Sequence, residues 1–173
     1  NATITKYSYS SLTKRNDDKI AIAAADYVEQ LLFHRIDEIS YDNKLDLIKA
    51  VVKKMSDRSG GFDIFMRSEV PPKSGLGSSA AAFVSLIGLF NSFSNSKMTN
   101  YEIAETAIAL ERDELGNIGG RQDQYACTFG GLNFIEFFKD SHVKVTPLRL
   151  KQEHALELEK SLLLVYVAPR ERS

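Results

Sequence analysis

The stretch Pro71-Pro72-Lys73-Ser74-Gly75-Leu76-Gly77-Ser78-Ser79-Ala80-Ala81-Ala82 limits what this chain can become more than any other. Two glycines flank one leucine, two serines follow, and Ala80 to Phe93 then reads as a helix interrupted once by Gly88. A glycine-rich turn that opens directly onto a helix N-terminus is suited to anions. The first backbone N–H groups have no intrahelical partner, and the peptide dipoles sum to a partial positive charge there. Gly75 and Gly77 allow positive φ and close backbone approach, since no Cβ stands in the way. Ser78 and Ser79 then supply hydroxyls where phosphate oxygens, or a metal ion bridging them, would lie.

Three readings of this loop compete. It can be a helix start whose small residues serve packing alone. It can be a dinucleotide fingerprint, because Gly75-Leu76-Gly77-Ser78-Ser79-Ala80 fits G-x-G-x-x-G/A. That fingerprint needs a strand running straight into the first glycine and an acid about 20 residues further on. Pro71-Pro72 separates any strand from the glycines, and residues 92–100 contain no Asp or Glu. The third reading is a triphosphate loop. It is not a Walker A loop, because no Gly-Lys-Ser/Thr follows the glycines.

The surrounding pattern is mixed. Ala2 to Arg15 and Lys19 to Ala25 alternate as strands across the turn Asn16-Asp17-Asp18, which predicts a β-hairpin. Residues 26–41 fit either a helix or a loop packed on the core. A helix from Asp42 to about Ser56, ended by Ser59-Gly60-Gly61, is predicted by the stripe Leu45, Ile48, Val51, Val52, Met55. Lys44, Lys49, Lys53 and Lys54 are expected on its solvated face. Phe62 to Val70 is a strand delivering the chain to the glycine loop. Thr99-Asn100-Tyr101-Glu102 is a capping box opening a helix that buries Ile103, Ala104, Ala107, Ile108 and Leu115 and ends at Gly116. One or two helical turns are expected between Gly119-Gly120 and Gly130-Gly131. The strands Leu132–Phe138 and His142–Leu148 follow, then a helix over Gln152–Lys160 and a buried final strand over 161–168.

Two acids stand out. Glu111 lies in the last turn of the capped helix, where an anion faces the negative end of the dipole, so its position calls for a function. Asp123 opens the next short helix, where an acid is unremarkable on its own. His34, His142 and His154 are scattered, and with one cysteine, Cys127, they offer no zinc spacing. A lone cysteine also excludes an internal disulfide and fits a reducing, cytoplasmic setting. Net charge −1 argues against a nucleic-acid or anionic-membrane partner, and the longest apolar run is too short to span a bilayer. With 173 residues, 43% hydrophobic and 26% charged, the chain suffices for one domain, residues 1–173. The strand-like starts and stops at both ends suggest a fragment.

Pro71 to Ala82, together with Glu111 through Phe137, resembles the sugar-kinase branch of the GHMP kinases, the family of galactokinase, homoserine kinase and mevalonate kinase. The carriers are the P-x-x-x-G-L-G-S-S-A-A loop, a Glu twelve residues before an Asp, the run Gly119-Gly120-Arg121-Gln122-Asp123-Gln124-Tyr125-Ala126, and Gly130-Gly131-Leu132-Asn133-Phe134. The resemblance implies an α+β fold, the GHMP kinase N-terminal domain (ribosomal protein S5 domain 2-like). It is truncated by comparison, lacking the family's first strand with its sugar-contacting turn and its C-terminal half. ATP phosphates would be held by Pro72, Lys73, Ser74, Gly75, Leu76, Gly77, Ser78 and Ser79. Mg²⁺ would be held by Ser79 and Glu111, with hard oxygen donors on both. Asp123 would act as the catalytic aspartate, with Arg121 assisting charge stabilisation. Lys73 departs from the family, where that position is small. The implied activity is ATP-dependent phosphorylation of a hydroxyl on a small sugar or sugar phosphate. Alternatives are a fucokinase-like substrate and a non-catalytic sugar- or nucleotide-binding module. Oligomeric state is left open.

Overall fold

A computed structural model describes residues 1–28, 30–57, 60–165 and 167–168. Strands β1 (Ser8–Lys14), β2 (Ile20–Ala24), β3 (Leu31–Phe33) and β4 (Phe62–Ser68) form a four-stranded sheet in the order β1-β4-β2-β3. β4 runs antiparallel to β1 and parallel to β2, and β3 is antiparallel to β2. Helices α1 (Asp46–Met55) and α2 (Ser78–Phe93) contribute Ile48, Val51, Val52, Phe83, Leu86, Ile87 and Phe90 to one core with Ile20, Ile22, Phe62 and Ile64 of the sheet. A smaller cluster joins helix α3 (Asn100–Ala109), helix α4 (Gln122–Phe129) and the hairpin β5 (Asn133–Phe137)–β6 (Val143–Pro147) around Ala104, Ile108, Tyr125 and Val143. Helix α5 (Gln152–Ser161) follows and buries none of its residues.

The expected β1–β2 hairpin does not form, because β4 lies between the two strands. Alternation defines a strand's faces but not its neighbour. Burial gives the missing cue: Ile20, Ala21 and Ile22 are all buried, as an interior strand requires, whereas β1 alternates between half-buried and exposed. The first strand is also shorter than expected. Ala2 instead bridges Leu132, while the Thr3 amide donates to the Gly131 carbonyl and Thr3 Oγ1 accepts from the Gly131 amide, which ties the N-terminus to the second cluster. The undecided residues 26–41 supply β3 and a 3-10 turn at Ile36–Glu38.

Helix α1 starts four residues after Asp42, and its lysines do not all face solvent. Lys49 is 1% exposed; its ammonium donates to Asp42, to Asp46 Oδ1 (3.3 Å) and to the Ser40 carbonyl (2.9 Å). It lies one turn after Leu45 and one before Val52, on the apolar stripe itself. A buried ammonium there is tolerated because its donors are satisfied. The end of α1 at Met55 agrees with expectation, although Ser59 lies outside the described residues. The buried final strand is overturned. Leu162, Leu163, Leu164, Val165 and Val167 are between 60% and 88% exposed, and no strand forms over the described part of 161–168; Tyr166 lies outside it.

Candidate active site

The site begins where β4 hands the chain to α2. Ser68 Oγ donates to the Val70 carbonyl and accepts from the Val70 amide, turning the backbone out of the strand before Pro71. Three residues of the loop then take positive φ: Lys73 (60°), Gly75 (78°) and Gly77 (69°). Glycine accepts this backbone freely, while Lys73 holds it at a cost of about 1–2 kcal/mol. Gly77 is the cap of α2, and no side chain among the described residues caps it. The first intrahelical bond runs from the Ala81 amide to the Gly77 carbonyl, so the amides of the first turn face the loop without helical partners. Ser74 is half-buried, and its Oγ is enclosed without a hydrogen-bond partner.

Two elements bring acids to this mouth. After α3 the helix widens into a π turn, Leu110–Glu114, closed by the Leu115 amide on the Leu110 carbonyl. Such turns are rare and recur at functional sites because the extra residue re-aims a side chain. Here it carries Glu111, whose Oε1 accepts from Ser79 Oγ at 2.5 Å and whose Oε2 accepts from Gln124 Nε2 at 2.5 Å. The last-turn acid that the dipole disfavours is held by two donors from other helices.

Asp123, in the first turn of α4, lies against Gly77. A Cβ placed on Gly77 would come within 3.4 Å of Asp123 Cγ and 3.6 Å of its Oδ2. The glycine serves the left-handed backbone, and the Asp123 carboxylate lies at van der Waals distance from where its side chain would be. One turn on, Cys127 Sγ approaches the Gly77 carbonyl at 4.0 Å. Gly77, Ser79, Glu111 and Asp123 thus converge from three elements at the N-terminus of α2.

Arg121 does not join them. Its guanidinium binds Glu105, which also accepts from the Tyr125 hydroxyl, and reaches the Ser141 carbonyl at 3.5 Å. These groups line a separate open cleft of about 580 Å³ with Tyr101, His142 and Lys144, on the side of α4 that carries the second cluster. Burial, followed by the bond to Glu105, pushes the Tyr125 hydroxyl above its ordinary value. Arg121 braces α4 against α3 in this arrangement.

The donor set at the mouth consists of one hydroxyl and one carboxylate, both hard oxygen ligands 2.5 Å apart. That suits Mg²⁺, which takes one or two protein oxygens and completes its shell with phosphate and water. It does not make an all-protein cage: among the described residues no group of three or more His, Cys, Asp or Glu could hold a metal ion. No helix among the described residues is long and apolar enough to cross a membrane. Sequence reasoning gave Gln124 no role. Its position beside Asp123 was the available signal, since successive helix residues point about 100° apart and can serve two partners.

A glycine loop opening an uncapped helix, faced by a carboxylate on a π turn and another on a short helix, defines a class. Residues 46–131 match the family of GHMP kinases N terminal domains, and the chain belongs to that family. Across 170 residues it is 39% identical to the D-glycero-alpha-D-manno-heptose 7-phosphate kinase of Campylobacter jejuni, covering 96% of this chain and 50% of that protein. The structure of a D-glycero-D-manno-heptose 1-phosphate kinase from Bacteriodes thetaiotaomicron superposes with a TM-score of 0.86 at 33% identity, over 91% of this chain and 53% of that one. Lactococcus lactis galactokinase, solved with galactose, shares the fold at a TM-score of 0.72 and 21% identity, over 87% and 41% of the two chains. The chain therefore spans about half the length of the heptose-phosphate kinases it matches.

Proposed function

We propose that this chain is the nucleotide-binding part of an ATP-dependent sugar kinase whose acceptor is D-glycero-D-manno-heptose 7-phosphate, converted to the 1,7-bisphosphate. The observation that carries the proposal is the convergence of Glu111 and Asp123 on the mouth of α2, through the Ser79 hydrogen bond and the contact with Gly77. The likeness to heptose-phosphate kinases supports the acceptor class.

In this reading the loop Pro72–Ser79 wraps the triphosphate with backbone amides, and the dipole of α2 favours the negative charge. Ser79 and Glu111 would hold Mg²⁺, whose positive charge would offset the charge developing on the phosphoryl group. The acceptor hydroxyl attacks the γ-phosphorus; the new O–P bond forms as the bond to the β–γ bridging oxygen breaks, and ADP leaves. Asp123 accepts the hydroxyl proton, or holds the hydroxyl in line until the proton departs. Arg121 acts indirectly here, by fixing the start of α4 through Glu105.

Replacing Asp123 by Asn keeps the shape against Gly77 and removes the proton acceptor. Phosphoryl transfer by D123N, followed as ADP release with heptose 7-phosphate, should fall at least 100-fold. The Kd for Mg·ATP from calorimetry should stay within about threefold. Transfer at the unaltered rate would remove Asp123 from the proposed role. Mg·ATP binding without transfer to any of a panel of sugars and sugar phosphates would instead favour the non-catalytic binding module, and transfer to fucose alone the fucokinase-like reading.

A further inference from the structure

Gln124 is 3% exposed, and its amide is arranged one-sidedly. Nε2 donates to Glu111 Oε2 at 2.5 Å, while Oε1 is buried without a hydrogen-bond partner. A carboxylate accepts and never donates when ionised, so it must meet the NH₂ end of the amide. The orphaned carbonyl oxygen is the consequence. The bond to Glu111 thus fixes which end of the buried amide faces the carboxylate.

Each Glu111 oxygen therefore has one donor: Ser79 from α2 on Oε1 and Gln124 from α4 on Oε2. The two donors are not equivalent. Ser79 is itself a metal ligand in the reading above, so its hydroxyl must turn toward the ion when the site loads. Gln124 has no such duty and can hold the carboxylate throughout. It also follows Asp123 directly in α4, so one turn of helix aims one side chain at Gly77 and the next at Glu111.

We infer that Gln124 is a positioning residue for the metal, orienting the Glu111 carboxylate so that its Oε1 edge is presented toward Ser79 and the loop. Hydrogen-bonded supports of this kind change metal affinity by about 10–100-fold when removed. The inference rests on the proposed function, and its test separates the two. Mn²⁺ affinity in the presence of ADP, read from the enhancement of water-proton relaxation, serves as the probe, alongside the Kd for metal-free ADP and the Tm.

Q124M keeps the length and bulk of the side chain but removes the donor, and it also removes the orphaned oxygen. Its Mn²⁺ Kd should rise at least tenfold while the metal-free ADP Kd stays within about twofold, a split that a general loss of structure would not produce. If Q124M does not fold, Q124L carries the test. It also removes the donor and adds no charge beside Glu111, so its Mn²⁺ Kd should likewise rise at least tenfold. Unchanged Mn²⁺ affinity in a folded variant overturns the inference. Failure of the unaltered protein to bind Mn²⁺ with ADP, or an E111Q variant that binds it normally, overturns the underlying reading as well.

Discussion

Cys127 reports on the site from beneath it. Burial pushes its thiol up to about 11 from an ordinary 9.0, and the nearby charge of Asp123 adds to the effect. The neutral thiol is favoured because a thiolate there would lose hydration and face a carboxylate. Alkylation by iodoacetamide should therefore be slow at pH 7.5 and keep rising above pH 9, with its midpoint near pH 11. D123N should move the midpoint downward, since it removes the charge and leaves the burial. A rate that levels off by pH 9 would mean that the thiol is open to water and that Asp123 points elsewhere. At this scale the sequence was informative about Glu111, whose awkward place at a helix end asked for partners, silent about any role for Gln124, and misleading about Lys49, which was expected in solvent and is buried. Nothing in a residue's type shows whether its polar end will be met inside. Gln124 is buried because Glu111 receives it, and Lys49 because Asp42, Asp46 and the Ser40 carbonyl do.

Among the elements, α2 carries both the core and the site, and one residue in it does neither. Gly88 lies in mid-helix with an ordinary negative φ, and a Cβ placed there meets nothing within 4 Å. Glycine in a helix interior is less favourable than alanine by about 1 kcal/mol, through the greater freedom of the unfolded chain. G88A should accordingly stabilise the protein by about 1 kcal/mol, or roughly 2–4 °C in Tm, without altering the affinity for Mg·ATP. A lower Tm would mean that the space beside Gly88 is needed. Local signals of this sort were legible: the capping box of α3, the strand–glycine loop–helix order and the β5–β6 hairpin all rest on neighbours in sequence. Pairing between distant segments was not. Insertion of β4 between β1 and β2 depends on α1 carrying the chain back to the sheet, and no residue in the turn at Asn16–Asp18 encodes that. The π turn was hidden for a related reason. It differs from an α-helix by a single hydrogen-bond step, which leaves the 3.6-residue pattern almost unchanged over five residues.

For the molecule as a whole, the site lies where the two clusters meet. α2 belongs to the sheet's core, α4 to the smaller cluster around Tyr125, and Glu111 leaves the end of α3 to touch both helices. The proposed ligand-binding groups do not survive unfolding as a set, because residues 77–79, 111 and 123 are brought together only by the packing of α2, α3 and α4. Mg·ATP should then bind the native state alone and stabilise it by RT ln(1 + [L]/Kd), about 2.7 kcal/mol at a hundred times Kd. For a chain of this size that is roughly 5–10 °C in Tm. Chelation of the metal should remove the part of the shift that runs through Ser79 and Glu111, and E111Q should reproduce the chelated value without added chelator. G77A should lose the larger share, since a Cβ disfavours the left-handed backbone that Gly77 holds at the cap of α2. If E111Q and the unaltered protein showed equal shifts, Glu111 would be a structural clasp between clusters and the metal would bind elsewhere. If Mg·ATP gave no shift at a concentration where calorimetry shows binding, the nucleotide would be held by groups that do not depend on this packing.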